Sequence, residues 1–136
     1  MKVKEMMTRN IDVLDSNATI QEAAEKMKEL DLGYMPVAVG RDVVGIITDR
    51  DIVTRVVAQG MISEEAKVID GMTQELLACA EDDDIETAAK SMGKHKVRRL
   101  VVMDSDRKLA GVVSLQDMAL NLDLQKAGKM LAQISR

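Results

Sequence analysis

Two short stretches place a hydroxyl and, three residues later, a carboxylate at the end of an apolar run. One is GIITDRD, Gly45 to Asp51, and the other is GVVSLQD, Gly111 to Asp117. If the apolar runs are strands and helices follow, Thr48 and Ser114 stand at N-caps, with Asp51 and Asp117 at the third helical position. That spacing satisfies free backbone amides and complements the helix dipole. The same groups suit a nucleotide. A helix start offers N–H donors to a phosphate, a neighbouring carboxylate can accept the hydroxyls of a ribose, and the Thr or Ser hydroxyl adds one more polar group. Gly45 and Gly111 allow close packing on the strand or mark a bulge. A general base or nucleophile is missing from both stretches, so they read as a cradle or a cap.

Other chemistry-bearing residues are few. Cys79 is the only cysteine, which excludes a disulfide framework and a cysteine metal site; in its apolar setting it reads as a small buried hydrophobe. His95 has no Ser, Cys or carboxylate at a spacing that would make it a catalyst. It lies in a basic cluster, Lys94, His95, Lys96, Arg98 and Arg99, which reads as a solvated face balancing the acidic run Glu81 to Asp84 or as cations serving a ligand. Tyr34 is the only aromatic and reads as packing at a hairpin start. With 19 basic and 23 acidic residues the net charge is −4, which disfavours a nucleic-acid partner. The absence of Phe and Trp also removes the platforms on which single strands stack. The first ten residues lack a secretory apolar core, and no apolar run approaches membrane-spanning length. These features predict a soluble, cytoplasmic protein without a membrane partner.

The elements that hold these residues are written twice. Val3, Met7, Thr8, Ile20, Ala23, Ala24 and Met27 recur 65 positions later as Val68, Met72, Thr73, Ile85, Ala88, Ala89 and Met92. From Gly45/Gly111 onward the offset is 66, because the turn around Asp104 to Arg107 holds one extra residue. Each copy predicts a strand (Ile11 to Leu14; Leu76 to Cys79) and a helix capped by Thr19 with Glu22, or by Asp84. A hairpin follows (Met35 to Val39 with Val43 to Ile47; Leu100 to Met103 with Leu109 to Val113), then a second helix. The second helices run from Arg50 to Gln59, stopped by Gly60, and from Gln116 to about Leu124. The fold class is α+β, with the order strand, helix, strand, strand, helix in each copy. A unit of ~60 residues is marginal alone, so the copies are expected to share a core. The expected boundaries are 1–64, 65–124 and an amphipathic tail, 125–136. In the tail, Leu124, Ala127, Leu131 and Ile134 form a stripe that either folds back or meets a partner.

The duplicated order, the MPV and RRLVV strands, and above all VVGIITDRD and LAGVVSLQD resemble a tandem cystathionine-beta-synthase (CBS) domain pair, or Bateman module, of the stand-alone bacterial kind. The resemblance covers residues 1 to 124. It implies two repeats packed by their sheets about a pseudo-two-fold axis, with clefts that bind an adenosine-containing ligand: AMP, ADP, ATP, NAD or S-adenosylmethionine. Carried over by position, Asp51 and Asp117 would hold the ribose, and Thr48 and Ser114 would approach ribose or phosphate. The base would lie near Thr8, Ile11, Met35, Pro36 and Val37 in one copy, and near Thr73, Leu100, Val101 and Val102 in the other. Arg50 could meet a phosphate where Gln116 cannot, and Val101 replaces Pro36.

The function expected is a non-enzymatic regulatory sensor with no required cofactor and an adenosine nucleotide as its ligand. The alternative is a structural or interaction protein with degenerate clefts that works by dimerisation. CBS pairs often regulate an attached catalytic or transport domain, which implies a further, unknown protein partner here. They also commonly form flat dimers. Apolar residues on the second helices (Ile52, Val53, Val56, Val57; Met118, Ala119, Leu122) independently favour a homodimer.

Overall fold

The computed structural model describes residues 1–135, so Arg136 of the tail lies outside the described residues. The elements in chain order are a 3-10 turn (Val3–Glu5), β1 (Leu14–Asp15), α1 (Ile20–Leu30), β2 (Tyr34–Val39), β3 (Asp42–Thr48) and α2 (Asp49–Asp51). A π-helix (Ile52–Val57) and α3 (Val68–Gly71) follow, then β4 (Ala78–Ala80), α4 (Ile85–His95), β5 (Arg99–Met103), β6 (Leu109–Ser114), α5 (Leu115–Asn121) and α6 (Leu124–Ser135). Two compact units result. The inner unit is Ile11–Leu76, and the outer unit joins Met1–Asn10 to Leu77–Arg136. Each holds a three-stranded sheet, β1-β2-β3 or β4-β5-β6, with a parallel first pair and an antiparallel second pair. The class is α+β, as the sequence predicts.

Local chemistry explains the elements. Thr19 Oγ1 accepts from Glu22 N at 3.1 Å while Glu22 Oε2 accepts from Thr19 N at 3.0 Å, so the predicted capping box starts α1. Asp84 caps α4 by accepting from Glu86 N at 2.9 Å. Ile20, Ala23 and Met27 on α1, and Ile85, Ala88, Ala89 and Met92 on α4, are buried at helical spacing. The inner core gathers these α1 residues with Met35, Val37 and Ile47 of the hairpin, and the outer core repeats the pattern with Leu100, Val102 and Val113.

The terminal segments of the repeats are exchanged between the units. Val3 and Met7 belong to the outer core, and their counterparts Val68 and Met72 belong to the inner core. Thr8 exchanges backbone hydrogen bonds with Val112, N to O at 2.9 Å and back at 3.0 Å. Thr73 does the same with Ile46, at 2.8 and 3.1 Å. Each segment thus acts as a short extra strand against the last strand of its unit.

Three expectations are corrected. The second helix of the first repeat is an α-turn that passes into a π-helix. There Thr54 Oγ1 donates to Arg50 O at 2.9 Å, competing with the backbone for that carbonyl, and Ala58 N reaches back five residues to Val53 O at 2.8 Å. In the second repeat the helix ends at Asn121, because Leu122 is extended (φ −91°, ψ 156°), and α6 then begins at Leu124. The tail folds back on the outer unit in a register other than the predicted stripe. Met130 and Ile134 are buried, while Leu124 is 91% exposed and Leu131 is exposed.

Candidate functional site

Both junctions are closed capping boxes. In the inner unit Thr48 N donates to Asp51 Oδ2 at 3.0 Å, and Asp51 N donates to Thr48 Oγ1 at 3.1 Å. In the outer unit Ser114 N donates to Asp117 Oδ2 at 2.8 Å, and Asp117 N to Ser114 Oγ at 3.2 Å. The preceding strands are built alike. Val37 pairs with Gly45 and Val102 with Gly111, and in each hairpin one residue bulges beside that glycine. The glycines themselves admit a backbone. A Cβ on Gly45 would stand 2.4 Å from Thr73 O, and one on Gly111 would stand 2.4 Å from Thr8 O. The bulge and the close approach, alternatives in the sequence, therefore occur together.

The structure regroups the sequence-predicted residues. Thr48, Arg50, Asp51, Pro36, Val37 and Thr73 share the inner unit, while Ser114, Asp117, Val101 and Thr8 share the outer one. Thr8 and Thr73 are each in the unit opposite to the one their repeat position suggests. Met35, Val37, Leu100 and Val102 are buried in the two cores, whereas Pro36 and Val101, between them on β2 and β5, are buried on the opposite face of their strands and belong to neither core cluster; Arg50 is exposed.

Arg55 is the residue that sequence reasoning missed. Its Nη1 donates to Gly71 O at 3.2 Å, Met72 O at 2.9 Å and Thr73 Oγ1 at 3.2 Å, and its Nη2 lies 3.9 Å from Asp51 Oδ1. It clips the exchanged segment to the junction helix and sets a positive charge beside a carboxylate that is only 14% exposed. Its outer counterpart, 66 positions on, is Asn121, whose amide turns back to Asp117 O at 2.8 Å. The only sequence signal for Arg55 was its place four residues after Asp51, an (i, i+4) pair.

Burial, and secondarily Asp83, push the Cys79 thiol up to about 11, so it stays protonated at neutral pH. In the acidic run, Asp82, Asp83 and Asp84 are engaged locally. Asp82 pairs with Lys4 at 2.9 Å and Lys2 at 3.6 Å, Asp83 accepts from Ala80 N at 3.0 Å, and Asp84 caps α4. Lys94, His95 and Lys96 are exposed at the C-terminal end of α4, where cations favour the helix dipole. His95 Nδ1 lies 2.9 Å from Ser91 O. Among the described residues no group of three His, Cys, Asp or Glu could hold a metal, and no helix is long and apolar enough to cross a membrane.

Comparison with known proteins agrees with this architecture. The chain is 37% identical over 134 residues to the CBS domain-containing protein YhcV of Bacillus subtilis, covering 98% of this chain and 94% of that one. Its fold matches the CBS domain protein TA0289 of Thermoplasma acidophilum with a TM-score of 0.87 at 22% identity, over 98% of this chain and 75% of that one. It also matches the CBS domain pair of MJ0100, solved with 5-methylthioadenosine and S-adenosyl-L-methionine, with a TM-score of 0.79 at 26% identity over 88% and 94% of the two chains. The CBS domain family matches twice, at residues 3–58 and 64–123, one match for each copy of the duplicated pattern, and the chain belongs to that family.

Proposed function

We propose that this chain is a non-enzymatic regulatory sensor that binds an adenosine-containing ligand at its strand-to-helix junctions. The observation that carries the reading is the arrangement at Asp51. One carboxylate oxygen closes the cap, while the other faces Arg55 with Thr73 alongside. A ribose hydroxyl can donate to that second oxygen, and Arg55 with Arg50 supplies cations for a phosphate or carboxylate on the ligand. The outer junction keeps the Ser114 and Asp117 pair but has no Lys or Arg in α5 (Leu115–Asn121). The inner junction is therefore the principal site. The adenosine compounds on the MJ0100 pair support the ligand class. AMP, ADP, ATP, NAD and S-adenosylmethionine all carry the ribose this chemistry needs.

A thermal-shift panel of these five compounds tests the reading. A ligand held at 100 times its dissociation constant adds ~2.7 kcal/mol of native stability and raises the melting temperature. No shift with any of the five would contradict it.

A second reading, an interaction protein whose junctions bind nothing, is favoured by the engagement of both carboxylates in caps and of Asp51 with Arg55. Both readings include a homodimer, because Val53, Val57 (63% exposed), Met61 and Ile62 leave apolar surface on the inner unit. Sedimentation equilibrium at micromolar concentration checks it, with a dimer expected and a monomer refuting it. The sensor reading predicts cytoplasmic action on a separate protein partner.

A further inference from the structure

The outer unit contains a groove of about 350 Å³ that no part of the junction chemistry uses. Its walls are α4 and α6. Ala89 and Met130 are buried at its floor with half-buried Leu122 beside them, and Lys90, Lys126 and Lys129 stand around its mouth. Helical spacing makes the wall. Glu86, Ala89 and Lys90 follow at i, i+3 and i+4 on α4, and Lys126, Lys129, Met130 and Gln133 at i, i+3, i+4 and i+7 on α6. One end is closed by the Lys126 contact to Glu86, with Asp123 3.8 Å from the same ammonium. At the other, Gln133 lies over Gly93, so close that a Cβ on Gly93 would collide with its amide. From Glu86 to Gly93 the helix rises ~10 Å, which sets the length of the slot.

Charge and surface together define an occupant. The chain carries a net charge of −4, yet this mouth has three lysines against Glu86. Lys126 is engaged by Glu86 and Asp123, whereas Lys90 and Lys129 have no ion pair among the described residues. Their aliphatic stems extend the apolar wall while their ammonium groups stay in water. A slot of this volume falls in the range of small-molecule sites, with an apolar lining and a few placed charges.

We propose that the α4–α6 groove binds a free medium-chain carboxylate, the hydrocarbon against Ala89, Leu122 and Met130 and the carboxylate between Lys90 and Lys129. A hydrocarbon alone would make no use of the two cations, and a compact anion would make no use of half-buried Leu122 and the lysine stems. Only a molecule with both parts satisfies both surfaces.

The test is titration of the full chain with octanoate and with 1-octanol, read by calorimetry and by backbone amide shifts. The expected result is a saturable one-to-one isotherm for octanoate, roughly tenfold weaker binding of the alcohol, and shifts centred on Lys90, Met130 and Gln133. The double substitution Lys90→Glu/Lys129→Glu is confined to exposed positions. It should leave melting unchanged and weaken octanoate by roughly tenfold or more. Ala89→Leu should fill the slot, and retained α4 and α6 amide dispersion will show that it folds. Non-saturating heats, equal affinity for the alcohol, or unchanged binding by the double variant would overturn the proposal. So would flotation with phosphatidylglycerol vesicles through the same lysines without octanoate binding, which would make this face a membrane contact.

Discussion

The two junctions start alike and then part. Thr48 with Asp51 and Ser114 with Asp117 form the same pair of hydrogen bonds, within 0.2 Å of each other in each contact. Beyond the cap, the inner helix becomes a π-helix and sends Arg55 to the exchanged segment, whereas the outer helix stays α and Asn121 bonds only its own helix. The divergence begins at single residues. Thr54 can bond back to the Arg50 carbonyl, and Leu120 at the equivalent position cannot. The cap is thus a folding device common to both copies, while charge and clamp distinguish the inner junction, the one proposed above as the principal ligand site.

The largest effect is expected where the copies agree. Gly45→Ala and Gly111→Ala each force a Cβ against a backbone carbonyl that a side-chain shift cannot move aside. Each should cost about 3 kcal/mol in urea unfolding, at the upper end for overpacking. A loss in one unit alone would break the equivalence of the two exchanged segments.

The next effect separates the units. Arg55→Met removes three hydrogen bonds to residues 71–73 and should cost about 1–2 kcal/mol. Asn121→Ala removes one exposed bond and should cost less than about 0.5 kcal/mol. Equal costs would mean that Arg55 is not a clamp. Thr48→Ala and Ser114→Ala should each cost about 1 kcal/mol without ligand, the usual value for an N-cap. An unchanged urea midpoint for either would show that its hydroxyl does not cap.

The smallest effect depends on pH. Leu14 of the inner unit is matched in the outer unit by Cys79, whose thiol burial raises from 9.0 to about 11. The unfolded thiol ionises first, so its contribution to stability is intact below pH 9 and is lost as pH rises toward 11. Cys79→Ala should flatten the alkaline limb of stability against pH. An unchanged limb would show that the native thiol ionises as easily as the unfolded one.

The sequence made the duplication, the caps and the hairpins legible, because each rests on local spacing. It could not show the exchange of terminal segments. An offset of 65 makes Thr8 equivalent to Thr73 but leaves open which copy either pairs with. Arg55 was hidden because its partners are backbone carbonyls 16 and 17 residues away and a threonine one residue further on. In the tail, Leu124, Ala127, Leu131 and Ile134 compete with Ala127, Met130 and Ile134 as helical faces, and packing against α4 selected the second. The π-helix, in which Ala58 N bonds Val53 O five residues back, leaves no mark in the periodicity of the sequence.

The central question is whether the inner junction is the better ligand site. Asp51→Asn and Asp117→Asn test this directly, because the amide oxygen can still accept from the cap N–H while the charge is lost. Each should be titrated calorimetrically with the adenosine compound that gives the largest thermal shift. The expected result is roughly tenfold or greater weakening for Asp51→Asn, the loss of a charge-assisted bond, and a smaller change for Asp117→Asn. Equal losses, or a larger loss at Asp117, would contradict it.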